Sequence, residues 1–199
     1  MPRFARTALA LALGLCALGT QAASVQNNTG LASPATVVTF SENILAAGTS
    51  VTSYLGLGFS PFLRYDSQGP AAFPGITGHY LGNNGGAIQN PFSILFGGDV
   101  TGAAFGVATN PASTLFEALD NGVVVESFLA ATHFNGSTAS FFGFQGITFD
   151  EIRVTVGGDH QLLLDNVQIA AAVPEPESAA LMLAGLAALA TLRRRRAVA

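Results

Sequence analysis

The groups in this sequence with chemistry to offer are side-chain oxygens. Asp165-Asn166 interrupts an apolar stretch in which Leu162 and Leu164 share one strand face while Val167 and Ile169 fall on the opposite phase. A bulge at these two residues returns the apolar set to one side. Asp165 and Asn166 can then offer oxygens to Ca²⁺, with Glu42 and Asp99 as further ligands, because hard cations take about six to eight oxygens. The simpler alternative is that both side chains hydrogen-bond the backbone at the irregularity.

A second carboxylate question lies around Asp120-Asn121-Gly122. If the turn is only Asn121-Gly122, counting outward sets Glu117 directly opposite Glu126, and like charges so placed destabilise a sheet. Either a cation bridges them, or the loop takes Asp120 as well and Glu117 meets Val125. The three-residue loop is expected, because it needs no ligand.

Catalysis has little to work with. His79, His133 and His160 stand in turn-like contexts without H-x-H, H-E-x-x-H or nucleophile-elbow spacing. Asp150 and Glu151 are neighbours, so on a regular strand they point to opposite faces and do not flank one bond. No catalytic residue and no cofactor is expected, Ca²⁺ aside. Asn27-Asn28-Thr29 and Asn135-Gly136-Ser137 match a glycosylation triplet, which is read as accidental.

The elements that must carry these groups read as strands. Between residues 23 and 172 no helical period persists over ten residues, whereas short alternating runs recur between Gly, Pro and Asn clusters. Phe92, Ile94 and Phe96 alternate with Ser93 and Leu95, and Ile152, Val154 and Val156 with Arg153 and Thr155. Fourteen of the 15 phenylalanines lie in this body, enough to fill a two-sheet core. Leu115 to Leu119 and Val123 to Leu129 form the clearest hairpin, since Asn-Gly accepts the positive φ of tight turns. Another turn at Gly157-Gly158-Asp159 joins residues 147–156 to 161–169. The glycine-rich stretches 48–58 and 69–86 read as loops. The expected fold is all-β, an antiparallel jelly-roll-like β-sandwich.

Composition marks the two ends as different from the body. Only 10% of the 199 residues are charged, below the roughly 25% of ordinary soluble domains. All eight basic residues are arginine, and six of them are Arg3, Arg6 and Arg193 to Arg196. The body therefore sets two arginines against ten acids. Such a surface cannot neutralise a run of phosphates, which excludes nucleic acid as a partner.

Arg3 and Arg6 precede an eleven-residue apolar run, Ala8 to Leu18, followed by Thr20-Gln21-Ala22. This is the layout of a signal peptide, 1–22, forming a short helix and cut by signal peptidase after Ala22. The run is too short to cross about 30 Å of hydrocarbon. Cys16, the one cysteine, follows Leu15 rather than a small residue, so lipidation is not expected and the thiol leaves with the peptide. The mature body then holds together without disulfides.

At the other end, residues 173–199 read Val173-Pro174-Glu175-Pro176-Glu177-Ser178, an uncharged run over 179–192, then Arg193, Arg194, Arg195 and Arg196. The prolines end the preceding strand and hold an extended, accessible segment. Ser178 can cap a helix whose positive terminus lies near Glu175 and Glu177. Fourteen residues make a helix of roughly 21 Å at about 1.5 Å per residue, a marginal transmembrane anchor. The arginines stop it with the cluster in the cytoplasm and the body outside.

This order of parts resembles a PEP-CTERM protein-sorting segment, with Pro174, Glu175 and Pro176 as its signature. The resemblance covers about residues 173–196. It implies that an exosortase in the envelope of a Gram-negative bacterium recognises the segment while the chain is held in the inner membrane, removes the helix and passes the protein outward. A permanent single-pass anchor is the alternative; a GPI signal would not end in four arginines. The strand sequences Phe149 to Val154 and Leu164 to Val167 also resemble the ending common in PEP-CTERM surface proteins with lectin-like sandwich domains. The organisation expected is a signal peptide (1–22), a β-sandwich domain (23–172) and a sorting segment (173–199). The function expected is that of a non-catalytic cell-surface or extracellular-matrix protein associated with exopolysaccharide. A calcium-dependent lectin-like module is the first alternative and a secreted hydrolase the second.

Overall fold

In a computed structural model, the structure describes residues 23–67, 73–84, 87–135, 139–170 and 185. Ten strands account for most of them: β1 (Ala23–Asn27), β2 (Thr36–Val38), β3 (Ser50–Tyr54), β4 (Leu57–Ser67), β5 (His79–Gly82), β6 (Phe92–Thr109), β7 (Ala112–Asp120), β8 (Val123–Thr132), β9 (Phe141–Val156) and β10 (Leu162–Ile169). Every pairing between them is antiparallel. The expected all-β, antiparallel sandwich is the fold that forms.

Two long strands build both layers. The first half of β6 pairs β4 and the second half of β9, which continues to β7 and β8. The second half of β6 pairs β10 and the first half of β9, which continues to β1. Register shifts between Leu95 and Gly102 separate these halves, as bulges bend a strand from one layer into the other. Just past the shifted stretch Gly143 is tightly constrained: a Cβ on it would lie 2.0 Å from the Ala103 carbonyl oxygen, so a larger residue would force the paired β6 and β9 backbones to move.

The core follows from the alternation. Phe92, Ile94, Ile152, Val154 and Val156 are all buried, and ten phenylalanines are buried among the described residues. Phe116 stacks on Phe142 with ring centroids 5.1 Å apart and on Phe128 at the same distance, while Phe144 and Phe149 meet edge to face. Offset and edge contacts of this kind add to the burial of the rings themselves.

Three local expectations are corrected. Residues 48–58 are not a loop but the β3–β4 hairpin, turned by Leu55 and Gly56 at φ 46° and 85°; the glycine there serves the turn. Residues 69–86 include β5, whose four residues pair β4 and whose last two, Leu81 and Gly82, also pair β10. The β7–β8 loop is Asn121-Gly122 alone, at φ 51° and 79°, with Asp120 paired to Val123. Glu117 and Glu126 are nonetheless kept apart, because an extra residue, Val125, bulges out between the Leu119↔Val124 and Ala118↔Glu126 pairs. Glu117 then faces Ser127 on one side and Arg153 on the other, and Arg153 Nε donates to its Oε2 at 2.9 Å. The Gly157-Gly158-Asp159 turn does join β9 to β10, but among the described residues the two strands pair not with each other but each with β6, which lies between them.

Candidate functional site

The sorting elements, Ala22, Pro174, Glu175, Pro176, the 179–192 run apart from Gly185, and Arg193 to Arg196, lie outside the described residues, and, that one residue aside, so do the two expected terminal helices. Among the described residues no helix is long and apolar enough to cross a membrane. Among the described residues the first strand, β1, has Ala23 paired to Gln145, and the last, β10, closes at Ile169, paired to Ala103.

The bulge in β10 forms at Asp165-Asn166. The β10–β6 register shifts between Asp165 and Gln168, and Asn166 takes φ 51°, a left-handed conformation that asparagine tolerates. Leu162, Leu164 and Val167 are thereby all buried on the core side. Asp165 faces the other way yet is fully buried, because the 73–78 segment covers it. Its Oδ2 accepts the Thr77 N–H at 2.7 Å and its Oδ1 the Asn166 N–H at 2.6 Å. Asn166 Nδ2 donates to the Gly75 carbonyl at 3.0 Å. Burial pushes the Asp165 carboxyl up to about 7, against the opposing pull of the Thr77 and Asn166 hydrogen bonds. Asp165 and Asn166 thus act as a clamp, fastening residues 73–78 to the outer face of β10. The same segment crosses β6 at Gly106, where a Cβ would lie 2.1 Å from the Gly75 oxygen.

The other two oxygen donors named with them have hydrogen-bond partners or neighbours of their own. Glu42 Oε1 accepts the Thr39 N–H at 2.8 Å and its Oγ1 at 3.0 Å, and Tyr54 donates to Oε2 at 3.4 Å. Burial works against the charge, but these hydrogen bonds hold the Glu42 carboxyl below its ordinary value. Asp99 meets Asp120 and Asp150, with carboxylate oxygens within 4.8 Å of one another. That triplet, which strand register alone could not have brought to notice, is a concentration of negative charge at an exposed corner. Glu151 is turned away from it and accepts Ser93 Oγ at 2.5 Å, so Asp150 and Glu151 do face apart.

The three histidines occupy separate places. His79 stacks on Tyr65 and shares a hydrogen bond with Ser41. His133 accepts the Asn135 N–H. His160, at φ 65°, contacts the Val156 carbonyl and Asn90.

Sequence patterning missed a groove on the outer face beside the clamped segment. One row across four strands, Arg64, Gly82, Leu163 and Ala108, supplies its floor, by the β4–β5, β5–β10 and β10–β6 registers. Two depressions lie side by side there, with Tyr80, Gln161, Leu162 and Leu163 lining both. The larger half, about 370 Å³, is walled by Phe73 and Phe134; the smaller, about 270 Å³, carries Arg64, Asp66 and Asn84. The only hint of it in the sequence is Gly82, a glycine inside a strand, which leaves no side chain there to pack.

An all-β body followed by a Pro-Glu-Pro element, a short apolar run and an arginine stop is the plan of an exported protein that passes through a membrane. Residues 172–196 match the family model described as the PEP-CTERM protein-sorting motif, the signal read by an exosortase. The chain carries that motif at the place where its three parts stand in order. No curated protein matches the chain. Among solved structures, it is similar to the CBM22-1–GH10 modules of endo-1,4-beta-D-xylanase 10B from Clostridium thermocellum, solved with xylohexaose, at 7% identity and a TM-score of 0.36, over 70% of this chain and 29% of that one. It is also similar to CsCBM6-3 from Clostridium stercorarium, solved with cellobiose, at 16% identity and a TM-score of 0.32, over 74% and 92%.

Proposed function

We propose that this chain is a non-catalytic surface protein of a Gram-negative bacterium. Its signal peptide is removed after Ala22, its tail halts in the inner membrane, and an exosortase then cuts near Pro174-Glu175-Pro176 and sends the body outward to the cell surface and its exopolysaccharide. The observation that carries this reading is the coincidence of the family match over 172–196 with the three-part tail. Each part contributes something physically distinct, namely an accessible stiff segment, a marginal anchor and a cationic stop. The closing of the last strand at Ile169, before Pro174, supports it, since the exosortase cut then falls outside the sandwich.

The separate surroundings of His79, His133 and His160 favour a binding or structural body over a hydrolytic one. The calcium-dependent reading has less support, because the Asp165 oxygens already accept from Thr77 and Asn166 and Glu42 is engaged by Thr39 and Tyr54.

Intact-mass measurement of the exported protein in strains with and without the exosortase tests the sorting role. Loss of the segment from 179 onward only where the enzyme is present is the expected result. A mass that retains the arginine-tipped tail in both strains would instead establish a permanent anchor.

A further inference from the structure

We propose that the outer groove over β4, β5, β10 and β6 binds a neutral glycan chain, without a metal ion, and that the Asp165 clamp exists to hold its aromatic wall. The inference builds on the reading that the body is delivered among envelope glycans, but it concerns a property of the folded body alone.

The floor is made by Gly82. Its neighbours in the row are Arg64 on one side and Leu163 on the other, so the missing side chain leaves a notch between two long ones. A Cβ there would sit 3.5 Å from Leu163 Cδ2 and 3.9 Å from Tyr80 Cε2, ordinary contact distances. The glycine is therefore not demanded by backbone crowding, and its φ is not positive. What it provides is depth.

The walls differ in character. At one end Phe73 and Phe134 meet edge to face with centroids 5.9 Å apart, and Phe134 is 41% exposed. Phe73 belongs to the clamped segment, whose Gly75 and Thr77 are the groups held by Asn166 and Asp165. At the other end Arg64 and Asp66 bring one charge of each sign, so the groove has no net charge of its own. Between the halves lies Gln161, whose side-chain amide makes no hydrogen bond among the described residues; only its backbone N–H is engaged, by Asp159.

This combination selects the occupant. Apolar rings beside donors and acceptors of both kinds suit a molecule with a C–H face and a rim of hydroxyls, and pockets of roughly 300–1,000 Å³ with a few placed polar groups are the usual size for small ligands. A peptide adding as a strand is excluded, because the floor strands β4, β5, β10 and β6 already pair with one another and present no free edge to it. A phosphate-bearing ligand would find a single arginine beside an aspartate.

Saturation-transfer difference NMR decides the matter. The full-length exported chain is held in a detergent without a sugar headgroup, with a chelator present, and presented with neutral hexaoses of glucose, mannose and xylose and with an anionic galacturonate hexamer. Because the tail is intact, the outcome is independent of exosortase cutting. Saturable transfer to at least one neutral hexaose is expected, weakened tenfold or more in Gly82→Val, which fills the notch, and in Gln161→Ala. If Gly82→Val fails to fold by circular dichroism, the exposed Phe134→Ala takes its place. Absence of transfer to every neutral hexaose, binding of the anionic one alone, a requirement for calcium, or undiminished binding in folded variants would each overturn the assignment.

Discussion

Asp165 accepts the backbone N–H of Thr77 at 2.7 Å across 88 residues of sequence. The bond ties a connection between strands to the one irregular place in β10, and both ends are needed. Alternation with Leu164 turns Asp165 outward, the bulge that follows it brings Asn166 Nδ2 to the Gly75 carbonyl, and without the segment Asp165 would be a lone carboxyl on an open sheet face.

That relationship gives the protein a pH dependence. The Asp165 carboxyl has an ordinary value of 3.8 in the unfolded chain and about 7 when folded, raised chiefly by burial. Below about pH 4 both states hold the proton and its stabilising contribution is complete. As pH rises toward 7 the unfolded chain releases the proton while the folded one must keep it, so stability falls by up to roughly 1.4 kcal/mol per pH unit. Chemical denaturation between pH 4 and 8 should show this decline in the wild type and lose most of it in Asp165→Asn, a neutral mimic of the protonated carboxyl. Parallel slopes in the two proteins would contradict the assignment.

The Glu117–Arg153 pair should matter much less. Arg153 and Glu117 side chains are 34% and 17% exposed, and a partly exposed ion pair contributes about 0–1 kcal/mol. The Glu117 hydrogen bond raises the Arg153 value, while burial opposes it. Glu117→Gln keeps a hydrogen-bond acceptor, so a stability loss below about 1 kcal/mol, shrinking further in high salt, is the expected outcome of urea titration. A loss of several kcal/mol would mean that the pair determines how β7 lies on β9.

How far the sequence could be read is clear from these two places. The β10 bulge is legible because Leu162, Leu164, Val167 and Ile169 cannot share a face on a regular strand, and the cost of exposing them forces an extra residue. The β7–β8 loop length is not legible in the same way. Asn121-Gly122 points to a two-residue turn, and the repulsion between Glu117 and Glu126 points to a longer one. The chain satisfies both by bulging at Val125, a solution whose signal is spread over three strands. The β3–β4 hairpin escapes notice because Leu55, not a usual turn residue, takes φ 46° before Gly56. The groove is invisible for a stronger reason: Arg64, Gly82, Leu163 and Ala108 become neighbours only through cross-strand register.

Gly143 and Gly98 offer a matched contrast. A Cβ at Gly143 would lie 2.0 Å from the Ala103 oxygen and 2.6 Å from the Ala104 Cα, both backbone atoms that cannot step aside. At Gly98 nothing lies within 4 Å. Gly143→Ala should therefore exceed the ordinary range of about 0.5–3 kcal/mol for single substitutions and lower the yield of folded protein. Gly98→Ala should stay within about 0.5 kcal/mol of the wild type. Thermal melts of the two variants make the comparison, and equal effects would show that the β6–β9 pairing is looser than the geometry requires.

The Asp99, Asp120 and Asp150 corner yields the last prediction. Three carboxylates within 4.8 Å of one another repel, and the corner's remaining hydrogen bonds, from Asn121 N–H to Asp150 at 3.3 Å and from Asn121 Nδ2 to Asp120 at 2.8 Å, offset only part of that. Exposed charges are screened within about 10 Å at 0.1 M salt, so the effect belongs to low ionic strength. Asp99→Asn removes one charge at the exposed member and breaks neither hydrogen bond. It should raise the melting temperature slightly in dilute buffer, a gain worth about a few tenths of a kcal/mol, with the gain disappearing as sodium chloride is added. If Asp99→Asn instead destabilised the protein at every salt concentration, the carboxylate would be making an attractive contact that outweighs its two like-charged neighbours, and the corner would have to be understood as a cation's seat rather than as bare repulsion.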